Sequence, residues 1–231
     1  MTSPFTKKTL AFLRALKRNN DREWFRERKE EYESHVRQPM VALIGQLAGD
    51  FRRMAPELVA EPRVSLYRIY RDTRFSDDKT PLKTHAAARF PSRQFPKGIG
   101  AGLYLEIAPT YVWFGGGRYM PTTEELRAIR QHIASEHQQL HRIIRSERFT
   151  ATFDALEGNR LSRVPRGYPS DHPAAEYLRY TRFLVGREYP AAFALDPGFY
   201  PELLRVFEAA LPLIRFLNAG ILGSRTGHGP R

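Results

Sequence analysis

Between Arg63 and Arg93 the chain sets Arg63, Arg68, Arg71, Arg74, Lys79, Lys83, Arg89 and Arg93 against Asp72, Asp77 and Asp78 alone, eight cationic side chains to three acidic ones. Arg presents a planar fork of donors that meets a carboxylate or phosphate bidentately, so this density suits a fixed anion. On that reading Arg68, Arg71, Arg74, Lys79 and Lys83 form a clamp, with Ser76 in the same loop, and Asp72 or His172 is the candidate proton carrier. Ser76 and Lys79 also satisfy S-x-x-K, but S-D-N is absent and Lys83-Thr84-His85 is not K-T-G, so Ser76 reads as a turn cap.

Two further stretches carry polar groups of interest. Gly115, Gly116 and Gly117 precede a helix expected at Thr122, and the backbone N–H groups of Gly116 and Gly117 are candidates for meeting a phosphate, although neither dinucleotide nor P-loop spacing is present. The loop LSRVPRGYPSDHP offers Arg163, Arg166, Tyr168, Asp171 and His172, Arg166 being counted with the anion ligands. His137 and His141 stand at i, i+4 on one helix, a spacing that suits a shared metal, but no Glu follows the first His as in H-E-x-x-H. No metal site is assigned, and no cofactor follows from the residues.

RIYRDTRFSDDKTPLKTH, with NNDREWF before it and WFGGGRYMP and PRGYPSDHP after it, resembles the family catalogued as domain of unknown function 2461, its motifs running in order from about Phe5 to Leu217. The resemblance implies an α+β domain and no established activity. It also implies a Tyr in the D-K-x-P-Y-K segment where this chain has Leu82.

Composition narrows the classes. A 231-residue chain with 42% hydrophobic and 12% aromatic residues has the profile of a folded protein, expected as one domain over 1–221 with a flexible tail at 222–231. The absence of Cys excludes disulfides and thiolate metal sites. No apolar run is expected to approach the roughly 20 residues that cross a bilayer, and the N-terminus does not read as a signal peptide, so a cytoplasmic protein without a membrane partner is expected. The net charge of +12 raises the prospect of a polyanionic partner.

The scaffold follows from periodicity. Thr6 opens a helix with Leu10, Leu13 and Leu16 at helical spacing, Asn20 is expected to cap a second, and Leu43, Ile44, Leu47 and Phe51 stripe a third. Alternation predicts a strand over Val64–Arg71, then AGLYLEIAP and YVWFGG paired as a hairpin through Ala108–Thr110. A helix over Thr122–Arg145 follows. The apolar segment Phe199–Leu217 is expected to be buried or to form an oligomer interface. The fold class is therefore α+β: a central antiparallel sheet of about four strands, from Val64 to Phe114, flanked by N-terminal and C-terminal helices. Three functional readings stay open: a small-anion binder or enzyme, a nucleic acid binder, and an interaction protein whose basic segment is locked by its own ion pairs.

Overall fold

The computed structural model describes residues 3–74 and 77–226. Its first helix, α1 (Lys7–Arg18), is opened by a reciprocal capping box between Thr6 and Thr9 and buries Leu10, Phe12, Leu13 and Leu16. The cap of α2 (Arg22–Glu27) is Asp21 instead of the expected Asn20: its carboxylate accepts from the backbone N–H groups of Glu23 and Trp24 at 2.7 and 3.0 Å. Then come α3 (Lys29–Tyr32), a π-helical turn at Glu33–Arg37, and α4 (Gln38–Met54), which buries Met40, Leu43, Ile44, Leu47 and Phe51.

The strand expected over Val64–Arg71 is corrected by the structure. Pro62 starts a short helix, α5 (Pro62–Ser65), and the buried Ser65 hydroxyl donates to the Val59 carbonyl at 3.0 Å while accepting from the Glu61 N–H at 3.2 Å. These local bonds hold the backbone in a turn in place of a ladder. Only two isolated antiparallel bridges follow, Leu66 with Ala88 and Tyr70 with Leu82.

The regular sheet comprises β1 (Ala86–Pro91), β2 (Gly102–Ile107), β3 (Tyr111–Arg118) and β4 (Phe183–Pro190), antiparallel and in the order β1-β2-β3-β4. The hairpin between β2 and β3 is as expected, closed where the Ala108 N–H meets the Tyr111 carbonyl at 2.9 Å. The sheet does not end at Phe114, because its fourth strand comes from far along the chain. Gly115 and Gly117 allow that pairing. A Cβ on Gly115 would overlap the Val185 carbonyl, and one on Gly117, at φ +133°, the Phe183 carbonyl. The glycines are thus strand residues that let two backbones approach closely.

After β3 come α6 (Thr123–Ser135), α7 (His137–Ile144), α8 (Glu147–Thr150) and α9 (Ala175–Leu178). The helix expected to run unbroken to Arg145 is interrupted at Glu136, at φ −111° and ψ 30°. A 3₁₀ turn at Ala191–Leu195 precedes α10 (Phe199–Thr226), which contains Pro212 and runs into the stretch expected as tail. The expectation that no apolar run approaches membrane-spanning length is also corrected. Phe199–Ser224, of mean hydropathy 1.4, passes that test by length and composition, and 67% of its most apolar stretch is buried in the structure.

The chain forms two compact units. One comprises Met1–Phe90, Tyr104–Phe114 and Glu188–Arg205; the other Pro91–Leu103, Gly115–Arg187 and Val206–Arg231. In the first, Phe51 packs edge-on to Phe90 at 5.2 Å, and Phe114 packs on Tyr189 and Phe199 at 5.0 and 6.0 Å. In the second, Glu125 of α6 is a buried polar node, accepting from the Thr122 and Gly100 N–H groups, each at 2.8 Å, and from Arg118. Burial alone would raise its pKa, but these donors outweigh burial and lower it.

Candidate functional site

Strand alternation builds a polar floor within the first unit. Leu105, Ile107, Val112 and Phe114 point into the core, so Tyr104, Glu106, Tyr111 and Trp113 occupy the other face of the hairpin. Tyr104 donates to Glu106 Oε2 at 2.6 Å and Tyr111 donates to Oε1 at 2.5 Å. Burial, followed by the Glu106 charge and the hydrogen bond to it, pushes the Tyr104 phenol far up; burial and the same hydrogen bond do so for Tyr111. Both are therefore donors at any ordinary pH. Trp113 lies 5.9 Å from the Tyr104 ring.

The segment before β1 adds the cations. From Leu66 to Tyr70 the bridged chain advances four positions while its partner, from Leu82 to Ala88, advances six. The second segment must bulge between Lys83, whose N–H donates to the Ile69 carbonyl at 2.8 Å, and Ala87, and His85 lies in that bulge, which re-aims side chains as bulges beside functional sites do. Asn20 fixes the start of it, its amide donating to the Leu82 carbonyl at 2.8 Å and accepting from the Leu82 N–H at 3.0 Å. Leu82, where the family resemblance implies a Tyr, is fully buried.

Lys83 Nζ lies 4.6 Å over the Tyr67 ring, and Tyr67 packs against Tyr104 at 6.3 Å. Among the described residues no carboxylate stands within ion-pair distance of Lys83. Burial lowers its pKa, Arg68 and Arg71 lower it further, and Glu106 opposes them. His85 Nδ1 is 3.6 Å from Glu106 Oε1. Its pKa is also lowered, first by burial and then by Lys83 and Arg71 against the pull of Glu106, which favours free imidazole at neutral pH. The arrangement sets Lys83 and His85 beside one carboxylate that two phenols already occupy, with Arg68 and Arg71 within electrostatic reach of Lys83.

Other residues of the basic segment bond to their own loop. Arg74 grips Asp72 with two bonds, Nε to Oδ1 at 3.0 Å and Nη2 to Oδ2 at 2.8 Å; hydrogen bonds from Arg74 hold the Asp72 carboxyl down at about 2. Such a carboxylate is a weak base at neutral pH. Lys79 donates to the Thr73 carbonyl at 3.0 Å, and Arg71 bonds to both Asp78 and Thr80. Arg68 is exposed, within electrostatic reach of Asp72 and Lys83. Ser76 lies outside the described residues. Tyr70, 49% exposed, walls an open cleft of about 650 Å³ with Arg22, Glu23, Phe25, Arg26 and Lys29.

Gly116, Gly117, Arg166 and His172 belong to the second unit. Gly116 is backed by the side chains of Ile214 and Leu103, and Gly117 by the Phe183 backbone, so both serve packing within β3. Arg166 is exposed. His172 Nδ1 accepts from the Ala174 N–H at 3.0 Å, a local bond two residues along the chain. Its ring stands 5.5 Å from His137, and His137 5.9 Å from His141. No group of three or more His, Asp or Glu among the described residues is placed to hold a metal ion.

His85, Tyr104, Glu106 and Tyr111 escape a motif search because they are scattered singly. Their signal is the alternation of YLEI and YVWF across a short link, which puts a Tyr, a Glu, a Tyr and a Trp on one face of a hairpin. Fold and site together define an α+β protein with a polar, cation-rimmed site on one face of its sheet. Residues 8–216 match the family model described as conserved hypothetical protein (DUF2461), and the chain belongs to that family. No curated protein and no solved structure matches it.

Proposed function

We propose that this protein binds a small phosphate- or carboxylate-bearing ligand over the Tyr104–Glu106–Tyr111 face, with Lys83 and Arg68 as the anion receptors and Arg71 behind them. One observation carries the reading: the half-buried Lys83 ammonium, beside the Arg68 and Arg71 guanidinium groups, itself has no carboxylate at ion-pair distance among the described residues. Holding that charge in the ligand-free protein is unfavourable, and an anion offsets it. Arg74 and Lys79 keep the loop's shape in this account. His85 and Glu106 supply the acid–base pair for chemistry on a bound ligand, His85 as the proton acceptor at neutral pH.

A second reading, single-stranded nucleic acid, is favoured by the exposed Tyr70 in a cleft that also holds Arg22, Arg26 and Lys29, an aromatic face beside backbone-neutralising cations. Calorimetric titrations of the protein with phosphate, citrate and a short oligonucleotide separate the two. The small-anion reading expects phosphate or citrate to bind, and Arg68→Met to weaken that binding by about tenfold, the loss of one charge-assisted hydrogen bond. Binding of the oligonucleotide alone, falling steeply with salt and lost in Lys29→Ala, would replace it with the second reading.

A further inference from the structure

We infer that the Lys83 amine is a nucleophile that forms an imine with the carbonyl carbon of an aldehyde or keto compound bearing an anionic group, the anion being held by Arg68 with Arg71 behind it. The inference rests on the anion-binding reading and names the substrate class of that same site.

Lys83 differs from every other lysine in the chain. Lys7, Lys8, Lys17, Lys29, Lys79 and Lys97 are exposed, whereas Lys83 is half-buried at the edge of the bulge before β1, its Nζ over the Tyr67 ring and Arg68 and Arg71 nearby. A lysine becomes nucleophilic at neutral pH when desolvated and placed beside other cations, since both favour the free amine. Its lowered pKa has these two causes in that order. Arginines suit the accompanying role, because a guanidinium stays protonated and binds an anion while the amine is free.

The remaining groups fit the proton movements. The Lys83 ammonium gives one proton to the His85 imidazole, which lies two residues on and carries a lowered pKa of its own. The amine lone pair then forms the C–N bond as the carbonyl π pair moves to oxygen, giving a carbinolamine. That oxygen takes up the proton held by His85 and a second proton from the nitrogen, the C–O bond breaks, and water leaves. The product is a protonated imine, with every atom and proton of amine and carbonyl accounted for. The Tyr104 and Tyr111 phenols, both bonded to Glu106, hold that carboxylate on the sheet face, where it opposes the charge of the Lys83 ammonium and of the iminium that replaces it.

The test is reductive trapping in the intact protein. Glyoxylate, or neutral glycolaldehyde of similar size, is incubated with the chain and sodium cyanoborohydride near neutral pH, and adducts are counted by intact mass and located by peptide mapping. The expected result is one dominant adduct, at Lys83, formed at least about tenfold faster with the anionic probe, as one charge-assisted hydrogen bond implies, and suppressed by excess phosphate. Lys83→Arg should remove it. Because mapping is done on the unaltered protein, the outcome does not depend on how well that variant folds. Equal labelling of the exposed lysines, or no preference for the anionic probe, overturns the inference. If phosphate binding persists in either case, the anion site stands without the amine chemistry; if phosphate also fails to bind, both fall.

Discussion

Replacing Lys83 by Met is expected to raise the stability of the ligand-free protein and to abolish its response to anions. In an unfolded chain the ammonium titrates near 10.5, whereas burial, then Arg68 and Arg71, lower that value in the folded protein. The folded state therefore resists the proton, and at pH 7 the charge is held there at a cost that removing it relieves. Exchanging fully buried ions for apolar side chains of similar volume gains about 1–4 kcal/mol, and half-exposure with solvent screening reduces this to about 1 kcal/mol. The ammonium contact with Tyr67, at 4.6 Å, is lost, but a Met sulfur on the same ring returns a comparable amount. A gain of about 1 kcal/mol corresponds to roughly 2–4 °C in Tm for a chain of this size. The wild type, with an anion at a hundred times its Kd, gains about 2.7 kcal/mol, or roughly 5–11 °C. Differential scanning calorimetry at pH 7.5 and low salt, with and without phosphate or citrate, reads both effects. A Lys83→Met protein that is less stable than wild type and keeps the full anion shift refutes the reasoning.

Further outcomes follow from other parts of the structure. Asn20→Ala leaves the buried backbone N–H and carbonyl of Leu82 without their partner, for a loss of about 2–4 kcal/mol in urea unfolding and faster amide exchange over residues 81–88; a change within error would show that water replaces the amide. Gly117→Ala forces a methyl group onto the Phe183 carbonyl at φ +133°, so it should cost about 3 kcal/mol or more and yield mostly insoluble protein, visible on expression. His132 packs against Phe216 at 4.5 Å with its Nε2 buried and unpartnered among the described residues, and burial lowers its pKa. The unfolded chain takes up that proton near 6.5 and the folded chain resists, so stability is full above about pH 6.5 and falls as pH drops through the folded value; Tm measured from pH 7.5 to 5 should decline less in His132→Leu. At the alkaline end burial holds the Tyr32 phenol up at about 12. Stability is present below the unfolded value near 10 and declines as pH rises toward 12, a loss that Tyr32→Phe removes.

The sequence is legible where local rules dominate. The capping box of Thr122 and Glu125, the leucines of α1 and the stripe of α4 follow from period and cap chemistry alone. The fourth strand does not, because Phe183–Pro190 is interrupted by Gly186 and carries Arg187 and Glu188, and its partner lies far back in the chain. Val64–Arg71 alternates like a strand, but Pro62 and the bonds of Ser65 override the pattern, a case of side chains competing for the backbone. For the site, charge density finds the right segment without separating Arg74 and Lys79, which bond within their own loop, from Arg68 and Lys83, which lie within electrostatic reach of each other. That separation depends on a two-residue bulge, and no composition rule specifies one. Glu106 and its two tyrosines emerge only when the hairpin is drawn with its faces assigned.

The most direct measurement of the central claim is a crystal structure of the protein with selenate, a tetrahedral dianion whose anomalous signal identifies it. The account predicts a peak over the Tyr104–Glu106–Tyr111 face, within about 3 Å of Lys83 Nζ and of the Arg68 guanidinium, the range of a charge-assisted hydrogen bond. Selenate confined to other surface arginines, with Lys83 in direct ion pair with Glu106 or Asp78, would contradict it.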